Sequence, residues 1–194
     1  ELDEKQDFKF IIKDIHELID ESEGGLKRVK DIVANLKSFA RSDDEEIDSF
    51  HINECIANVI KVVWNEIKYH VTLHKDLNSD LPKINGHEGQ IGQVLMNIIV
   101  NAAQSIDGEG DIHIKTYLLN QQVMVDIKDN GKGMSESVKE KIFDPFFTTK
   151  GINEGTGLGL SISYGIVDQH GGNIVVESDV GQGTCFSISL PISP

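Results

Sequence analysis

Three side-chain amides line one side of a helix predicted over residues 89–106, a segment that contains no charged residue. Gln93, Asn97 and Asn101 follow one another at steps of four, and apolar residues occupy the opposite side. An exposed helix face usually carries Lys or Glu, so neutral amides indicate a surface that meets something other than bulk water. An amide oxygen is a hard ligand suited to Mg²⁺, whose other ligands are usually waters and phosphate oxygens. Amides that cap a neighbouring loop give the same pattern, so this helix alone leaves both interpretations open.

A carboxylate followed by glycines comes directly after the alternating strand predicted over residues 122–128. Asp129 lies at the strand end, and Gly131 and Gly133 permit positive φ and close approach of a ligand to the backbone. A buried carboxylate can accept a hydrogen bond from the exocyclic amine of adenine. Guanine presents a carbonyl oxygen at that place, so an acceptor would face an acceptor. A hairpin turn with a solvated Asp is the alternative, because Asp-Asn-Gly is common in such turns.

A cluster of glycines opens the helix predicted near residues 156–169. Gly155, Gly157 and Gly159 follow a phenylalanine-rich segment at 142–150. The free N–H groups and positive dipole end of a helix suit a phosphate. A dinucleotide-binding motif is excluded because these glycines follow a loop and not a strand of a βαβ unit. The Walker motif is also excluded, because no Lys follows the last glycine.

The elements that position these residues follow one another in an α+β pattern. The remaining predicted elements are a strand-like segment at 50–52, a helix over 53–68 capped by Asn53, and alternating strands over 71–77, 111–118, 172–178 and 184–190. Helices and antiparallel hairpins in this order indicate a two-layer α/β sandwich.

Residues 1–46 predict a helical arm and acidic linker in front of a domain that covers residues 47–194. Apolar residues recur at three-four spacing from Phe8 to Phe39, and the acidic run at 42–46 has nothing apolar to bury. A single apolar stripe needs another helix to cover it, so we expect a homodimer through this arm. Folding of the stripe back onto the rest of the chain is the alternative.

Charge and composition limit the classes of partner and compartment. The chain has 32 acidic against 18 basic residues, and its net charge of −14 repels nucleic acid and anionic membranes. No apolar run approaches the roughly 20 residues of a membrane span, and the first residues lack a signal-peptide layout. We therefore expect a cytoplasmic protein that reaches a membrane only through regions outside this chain. Cys55 and Cys185 lie far apart without histidine at metal-ligand spacing, which predicts neither a disulfide framework nor a zinc site.

Five segments of the chain, taken together, resemble the ATP-binding motifs of sensor histidine kinases. They read QVLMNIIVNAA from residue 93, DNGKGM from 129, FDPFFTTK from 143, GTGLGL from 155 and GQGT from 181. They are similar, in order, to the asparagine box, first glycine box, phenylalanine box, second glycine box and terminal glycine-threonine motif. The match spans about residues 47–191 and implies the Bergerat, or GHKL, fold. The arm resembles the last helix of the dimerisation and phosphotransfer domain.

The resemblance implies an ATP-dependent protein-histidine kinase of a two-component system, with ATP and Mg²⁺ as cofactors and a response regulator as partner. It implies Asn101 as the Mg²⁺ ligand, Asn97 as its catalytic neighbour near the phosphates and Asp129 as the adenine reader. Lys150 is implied to reach the phosphates, and the glycines of the second glycine box to form the end of a mobile lid. The glycines and few apolar anchors of segment 148–157 predict that this lid is mobile without nucleotide. The other implied nucleotide contacts are Gly131, Gly133, Gly155, Thr156, Gly157, Leu158, Gly159 and Thr184.

The same fold also serves ATPases, such as DNA gyrase, in which a Glu one turn before the metal-binding Asn activates water. Here that position is Asn97, and an amide cannot accept a proton at neutral pH, which favours phosphoryl transfer to a protein nucleophile. His16 resembles the start of the acceptor motif, but the Pro expected five residues later is absent, so we expect the acceptor to precede Glu1. The other six histidines match no motif. A nucleotide-binding scaffold module without phosphotransfer remains the alternative.

Overall fold

The computed structural model describes residues 48–151 and 155–192, together with seven residues nearer the amino terminus. Those seven, at positions 15, 16, 18, 19, 22, 25 and 26, are helical. Four apolar side chains among them are exposed: Ile15, Leu18, Ile19 and Leu26. The rest of the predicted arm, its dimer contact and the boundary at residue 46 lie outside the described residues and stay predictions.

From residue 48 onward the described residues form seven strands and four helices. They are β1 (Asp48–Phe50), α1 (Ile52–Ile67), β2 (Val71–Leu77), β3 (Ile84–Gly86), α2 (Glu88–Gln104), β4 (Gly110–Leu119), β5 (Gln122–Asp129), α3 (Glu136–Lys139), α4 (Gly159–Gln169), β6 (Asn173–Asp179) and β7 (Gly183–Pro191). Most predicted elements are present within a few residues of their expected bounds. β3 and α3 were not predicted, because both are too short to show a periodicity.

Five strands form one mixed sheet in the order β2-β4-β5-β7-β6. β2 runs parallel to β4, whereas the pairs β4-β5, β5-β7 and β7-β6 are antiparallel. β1 and β3 form a separate antiparallel pair. The pairs β4-β5 and β7-β6 agree with the predicted hairpins, whereas the β5-β7 pair joins strands that are far apart in sequence and was not predicted. The parallel pair was not predicted, because alternation indicates which side chains face the core but not which strand lies alongside.

The helices cover one face of this sheet, so the predicted two-layer α+β fold is confirmed. α2 contacts α1 and α4 on its two sides and packs on β4 and β5, and α4 packs on β6. Alternate side chains of β5 (Val123, Val125 and Ile127) point into the layer between the sheet and the helices and are buried. Among the described residues, no helix is both long and apolar enough to cross a membrane.

The start of α1 differs from its prediction. His51 occupies the N-cap without a side-chain cap hydrogen bond. Asn53 instead donates through Nδ2 to Asn78 O at 2.7 Å and accepts through Oδ1 from the Thr116 hydroxyl at 3.0 Å. The predicted cap at Asn53 is therefore wrong, because a contact with β4 and the loop after β2 takes up the amide.

The helix expected near residue 156 begins at Gly159. Gly157 has a φ of +67°, a left-handed conformation that cannot continue a right-handed helix. This backbone keeps residues 155–158 as a turn in front of α4.

Candidate functional site

Asp129 is a buried carboxylate at the end of β5, with only 3% of its surface exposed. Its Oδ1 accepts hydrogen bonds from the Gly131 N–H at 2.8 Å and the Thr184 N–H at 3.2 Å. The Ser105 hydroxyl lies 3.1 Å from the same oxygen. These three contacts all end on Oδ1. Oδ2 takes no part in them and is the candidate oxygen for a ligand.

Burial raises the pKa of Asp129 above its ordinary value, and this effect exceeds that of the hydrogen bonds. The N–H groups of Gly131 and Thr184 and the Ser105 hydroxyl lower the pKa in the opposite direction, because they favour the charged form. The carboxylate is therefore shielded from water, and the hydrogen bonds to Oδ1 fix its orientation. It can discriminate between a donor and an acceptor on a bound ring.

The first glycine box lies so close to its neighbours that side chains do not fit. A Cβ at Gly131 would lie 2.0 Å from the Ser105 hydroxyl oxygen, and one at Gly133 would lie 1.9 Å from the Asp179 carbonyl oxygen. Gly133 also has a φ of +64°. Both glycines thus let the loop after Asp129 pack on the end of α2 and on the β6–β7 turn, and their direct contact with a nucleotide stays a prediction.

The terminal motif fixes the other side of this loop. Thr184 is buried, and its hydroxyl lies 3.0 Å from the Ser178 hydroxyl. Ser178 Oγ accepts from the Met134 N–H at 2.9 Å and donates to Gly183 O at 2.9 Å. Ser178 therefore ties β6, β7 and the glycine loop together, and the sequence analysis missed it because a single Ser in a strand carries no spacing signal.

The amides of α2 take different partners, although all three are half-buried. Asn97 donates through Nδ2 to Gly159 O and to the Ser163 hydroxyl, both at 3.1 Å. These contacts join α2 to the first turn of α4. For Asn97 the structure therefore agrees with the interpretation of an amide that caps a neighbouring segment.

Asn101 presents its oxygen to a cation. Lys150 Nζ donates to Asn101 Oδ1 at 2.9 Å and also donates to Gln104 Oε1. Lys150 is the last residue of the phenylalanine box, so two residues predicted for the site from separate motifs meet here. This amide oxygen accepts a hydrogen bond from a cation, and an oxygen in such a position is also suited to bind a metal cation.

The phenylalanine box and the second glycine box also pack together. The Phe146 N–H donates to Gly157 O at 2.9 Å, and a Cβ at Gly157 would lie 2.4 Å from the Phe146 carbonyl carbon. Thr156 Oγ1 accepts from the Leu158 N–H at 3.3 Å. The predicted lid over residues 148–157 includes residues 152–154, which lie outside the described residues, so its mobility stays a prediction.

Two residues at the end of α2 were not predicted for the site. Ser105 and Gln104 contact Asp129 and Lys150, respectively. Ser105 follows Asn101 by four residues and so continues the line of polar side chains, which is the signal that could have identified it. His16, the weak acceptor candidate, is helical and exposed.

Comparison with known proteins gives a consistent result. Residues 86–194 match the family model described as histidine kinase-, DNA gyrase B- and HSP90-like ATPase. The chain is similar to the signal transduction histidine-protein kinase AtoS of Escherichia coli (strain K12), with 36% identity over 168 residues. That alignment covers 86% of this chain and 27% of AtoS. The chain thus spans about a quarter of the length of such curated relatives.

Solved structures of histidine kinases also match most of the chain. The nucleotide-free catalytic domain of histidine kinase ThkA superposes with a TM-score of 0.69 at 34% identity, covering 77% of this chain and all of that one. A structure of ThkA in complex with the response regulator protein TrrA gives a TM-score of 0.69 at 28% identity, covering 86% of this chain and 49% of that one.

Proposed function

This chain belongs to the histidine kinase-, DNA gyrase B- and HSP90-like ATPase family and has its Bergerat fold, and we propose that it is the catalytic part of a two-component sensor histidine kinase. In this proposal it binds Mg-ATP and transfers the γ-phosphoryl group to a histidine, for relay to an aspartate of a response regulator. The known structure of ThkA with TrrA supports a response regulator as the partner.

Asp129 would select adenine. Its Oδ1 is held by donors from α2, β7 and the glycine loop, so Oδ2 has a fixed direction. The exocyclic amine of adenine is a donor and fits that oxygen, whereas the guanine O6 is an acceptor and does not. The buried position strengthens this discrimination, because a mismatched polar group has no water to replace its partner.

Asn101 would hold Mg²⁺ through Oδ1. The fit rests on the donor itself, an amide oxygen that Lys150 Nζ already approaches at 2.9 Å. When bound, Mg²⁺ would offset the phosphate charge, which matters in a chain of net charge −14. Lys150 Nζ contacts the same Asn101 oxygen that would bind Mg²⁺. Because the lysine side chain is flexible, its ammonium group can turn to a phosphate oxygen when Mg²⁺ binds that oxygen.

The second glycine box would receive the phosphates. Gly155, Thr156, Gly157 and Leu158 lead into α4, whose first N–H groups have no partner within the helix and point towards the preceding turn. Gly159 lies against the Asn97 side chain at the same place. The phosphates would thus lie between the start of α4 and the amides of α2.

The observation that favours a kinase over an ATPase is the hydrogen bonding of Asn97. Hydrolysis in this fold needs a general base one turn before the metal-binding Asn. The Asn97 amide cannot take a proton, and its Nδ2 is engaged by Gly159 and Ser163. Without that base, the γ-phosphoryl group passes to a nucleophile of the protein. Imidazole suits this role because it is largely neutral near pH 7 and nucleophilic without a strong base.

The proposal extends to assembly and location. The exposed apolar residues of the arm (Ile15, Leu18, Ile19 and Leu26) support a homodimer through residues 1–46. The acidic charge argues against a nucleic-acid partner. We place the catalytic part in the cytoplasm, where ATP and response regulators are available.

Incubation with γ-labelled ATP tests this function. The chain as given should bind Mg-ATP, release almost no phosphate to water and remain almost unlabelled. A version extended upstream to include the predicted acceptor histidine should gain an acid-labile, base-stable label. Rapid phosphate release would support an ATPase, and an extended protein that binds ATP but never becomes labelled would support the scaffold alternative. Acid-labile label on the given chain that disappears in His16→Ala would identify His16 as the acceptor.

A further inference from the structure

We propose that the outward face of the sheet binds one divalent transition-metal ion through His74, Asp111 and His113. The side chains come from the neighbouring parallel strands β2 and β4, on which His74 and His113 are register partners. Asp111 precedes His113 by two residues, so strand alternation places both on one face. One ligand atom from each of the three residues lies within 4.8 Å of the other two.

His74 already contacts both of the other groups. His74 Nε2 lies 2.7 Å from Asp111 Oδ1, and the two imidazole rings stack with centroids 4.3 Å apart and planes 11° from parallel. Tetrahedral zinc with bonds of about 2.0–2.1 Å holds its ligand atoms about 3.4 Å apart. The widest pair of ligand atoms, which lies within 4.8 Å, must therefore close by up to about 1.4 Å, and the His74–Asp111 pair at 2.7 Å must open by about 0.7 Å. Ring lone pairs lie in the ring planes, so both rings must also turn out of the parallel stack. The side chain of His74 is 46% exposed and that of His113 is also exposed, so rotation of the two rings does not disturb the core.

The donor set selects the class of metal. Two imidazole nitrogens and one carboxylate oxygen suit Zn²⁺, Ni²⁺ or Cu²⁺, whereas Mg²⁺ prefers oxygen ligands. Three protein ligands leave a position for water, as in open zinc sites. Lys128, the register partner of His113 on β5, opposes a cation, but its side chain is exposed and can move away. The net charge of −14 favours a cation over the whole surface.

A further residue holds the carboxylate in place. Asn130 Nδ2 donates to Asp111 Oδ2 at 3.3 Å, and the Asp111 N–H donates to Asn130 Oδ1 at 2.9 Å. Asn130 thus takes one carboxylate oxygen and leaves Oδ1 directed at His74, the arrangement by which supporting residues orient metal ligands. An open cleft of about 470 Å³ beside Asp111, His113 and Lys128 gives an ion and its water access.

Sequence spacing could not reveal this site. His74 and Asp111 are 37 residues apart, and they meet only because β2 lies parallel to β4. The expectation of no zinc site considered histidines near the two cysteines, and the histidines in question matched no motif. None of the three proposed ligands is assigned to ATP, although Asp129 lines the same cleft as Asp111 and His113.

Calorimetric titration of the chelator-treated chain with ZnCl₂, without nucleotide or Mg²⁺, tests the proposal. One ion should bind per chain. His74→Gln and His113→Gln should each weaken binding by about tenfold or more, because each removes a ligand. His51→Gln is the matched control, because it also removes a histidine but leaves the cluster whole, and it should bind within about twofold of the parent chain.

Co²⁺ provides a second measurement that reports the ligands directly. The parent chain should develop the visible absorption bands of a nitrogen- and oxygen-ligated ion, and His74→Gln should lose them. Without metal, both glutamine variants should melt at the parent temperature, which separates loss of a ligand from loss of the fold. The proposal is overturned if the parent chain binds no Zn²⁺ or if both glutamine variants bind Zn²⁺ as tightly as the parent chain does. It is also overturned if sedimentation velocity shows that two chains share one ion.

Discussion

Asp129→Asn separates the two oxygens of the adenine-reading carboxylate. In the parent chain, Oδ1 accepts from Gly131 and Thr184 and lies next to the Ser105 hydroxyl, so Oδ2 faces the ligand. Asn keeps an oxygen for the three donors and places an NH₂ group where Oδ2 was. The substituted amide then directs a donor at the exocyclic amine of adenine, which is itself a donor.

The magnitude follows from the lost contact. A hydrogen bond to a charged group contributes about 1.5–3 kcal/mol, and every 1.4 kcal/mol is a factor of ten, so the Kd for Mg-ATP should rise about 10- to 150-fold. The Kd for Mg-GTP should fall, since the new NH₂ group can donate to the guanine O6. Burial raises the pKa of Asp129, which shows that the charged carboxylate is costly to bury. A neutral amide avoids that cost while its hydrogen bonds become weaker, so the free energy of unfolding should change by less than about 1 kcal/mol.

Calorimetric titration with Mg-ATP and Mg-GTP measures both changes. Asp126→Asn is the matched control, because it makes the same chemical change three residues earlier on β5, on the outward face, and should leave both Kd values within about twofold. If Asp129→Asn binds ATP as tightly as the parent chain, or if the parent chain binds GTP as tightly as ATP, Asp129 does not read the base.

Three further predictions concern stability and reactivity. His170 Nε2 accepts from the His87 N–H at 3.0 Å, and burial lowers the pKa of His170 below its ordinary 6.5. The neutral His170 side chain should therefore contribute fully to the free energy of unfolding above about pH 6.5, and this contribution should decline as the pH falls towards the lower pKa of the folded state. Urea unfolding should accordingly find that the difference in unfolding free energy between the parent chain and His170→Ala becomes smaller over that pH range. Burial raises the pKa of Cys55 from 9.0 to about 12, so at pH 8 its thiolate fraction falls about a thousandfold. Peptide mapping after iodoacetamide treatment should find Cys55 modified in urea but almost unmodified in the native chain, and equal rates would contradict the burial. Gly133→Ala should lower the unfolding free energy by about 1–3 kcal/mol more than Gly181→Ala. Both glycines have positive φ, but only a Cβ at Gly133 meets the Asp179 backbone, so equal losses would show that the contact is relaxed.

Local patterns were sufficient wherever a period or a turn decides the structure. Along β5, Val123, Val125 and Ile127 alternate into the core, and Asp129 continues that parity. The sequence therefore places this carboxylate on the buried side of the strand. The β4–β5 hairpin is equally local, because Asn120 and Gln121 form its turn with positive φ at both positions.

Contacts between distant segments could not be predicted in the same way. Asp129 takes its donors from residues 105, 131 and 184, of which only the second is near in sequence. Lys150 meets Asn101 across 49 residues, and no spacing rule joins a loop lysine to a helix amide. The parallel pairing of β2 with β4 falls in the same class. The resemblance to sensor histidine kinases named Asn101 and Lys150 as site residues, but their hydrogen bond is a result of packing.

The line of amides on α2 shows how packing decides between two chemically equal residues. Asn97 and Asn101 have the same side chain and lie one turn apart on the same helix face. The first turn of α4 packs on Asn97 and takes its Nδ2 as a donor, whereas the loop that carries Lys150 approaches Asn101 and takes its Oδ1 as an acceptor. One amide therefore stabilises the start of the helix behind the second glycine box, and the other presents an oxygen to a cation. Asn97 thus agrees with the interpretation of a capping amide, whereas Mg²⁺ binding by Asn101 stays a prediction. Exchange of the two roles would require α4 and the Lys150 loop to change places. The contacts of Asn97 with α4 use only its Nδ2, so its Oδ1 takes no part in them and can still face the phosphates that we propose lie between α2 and α4.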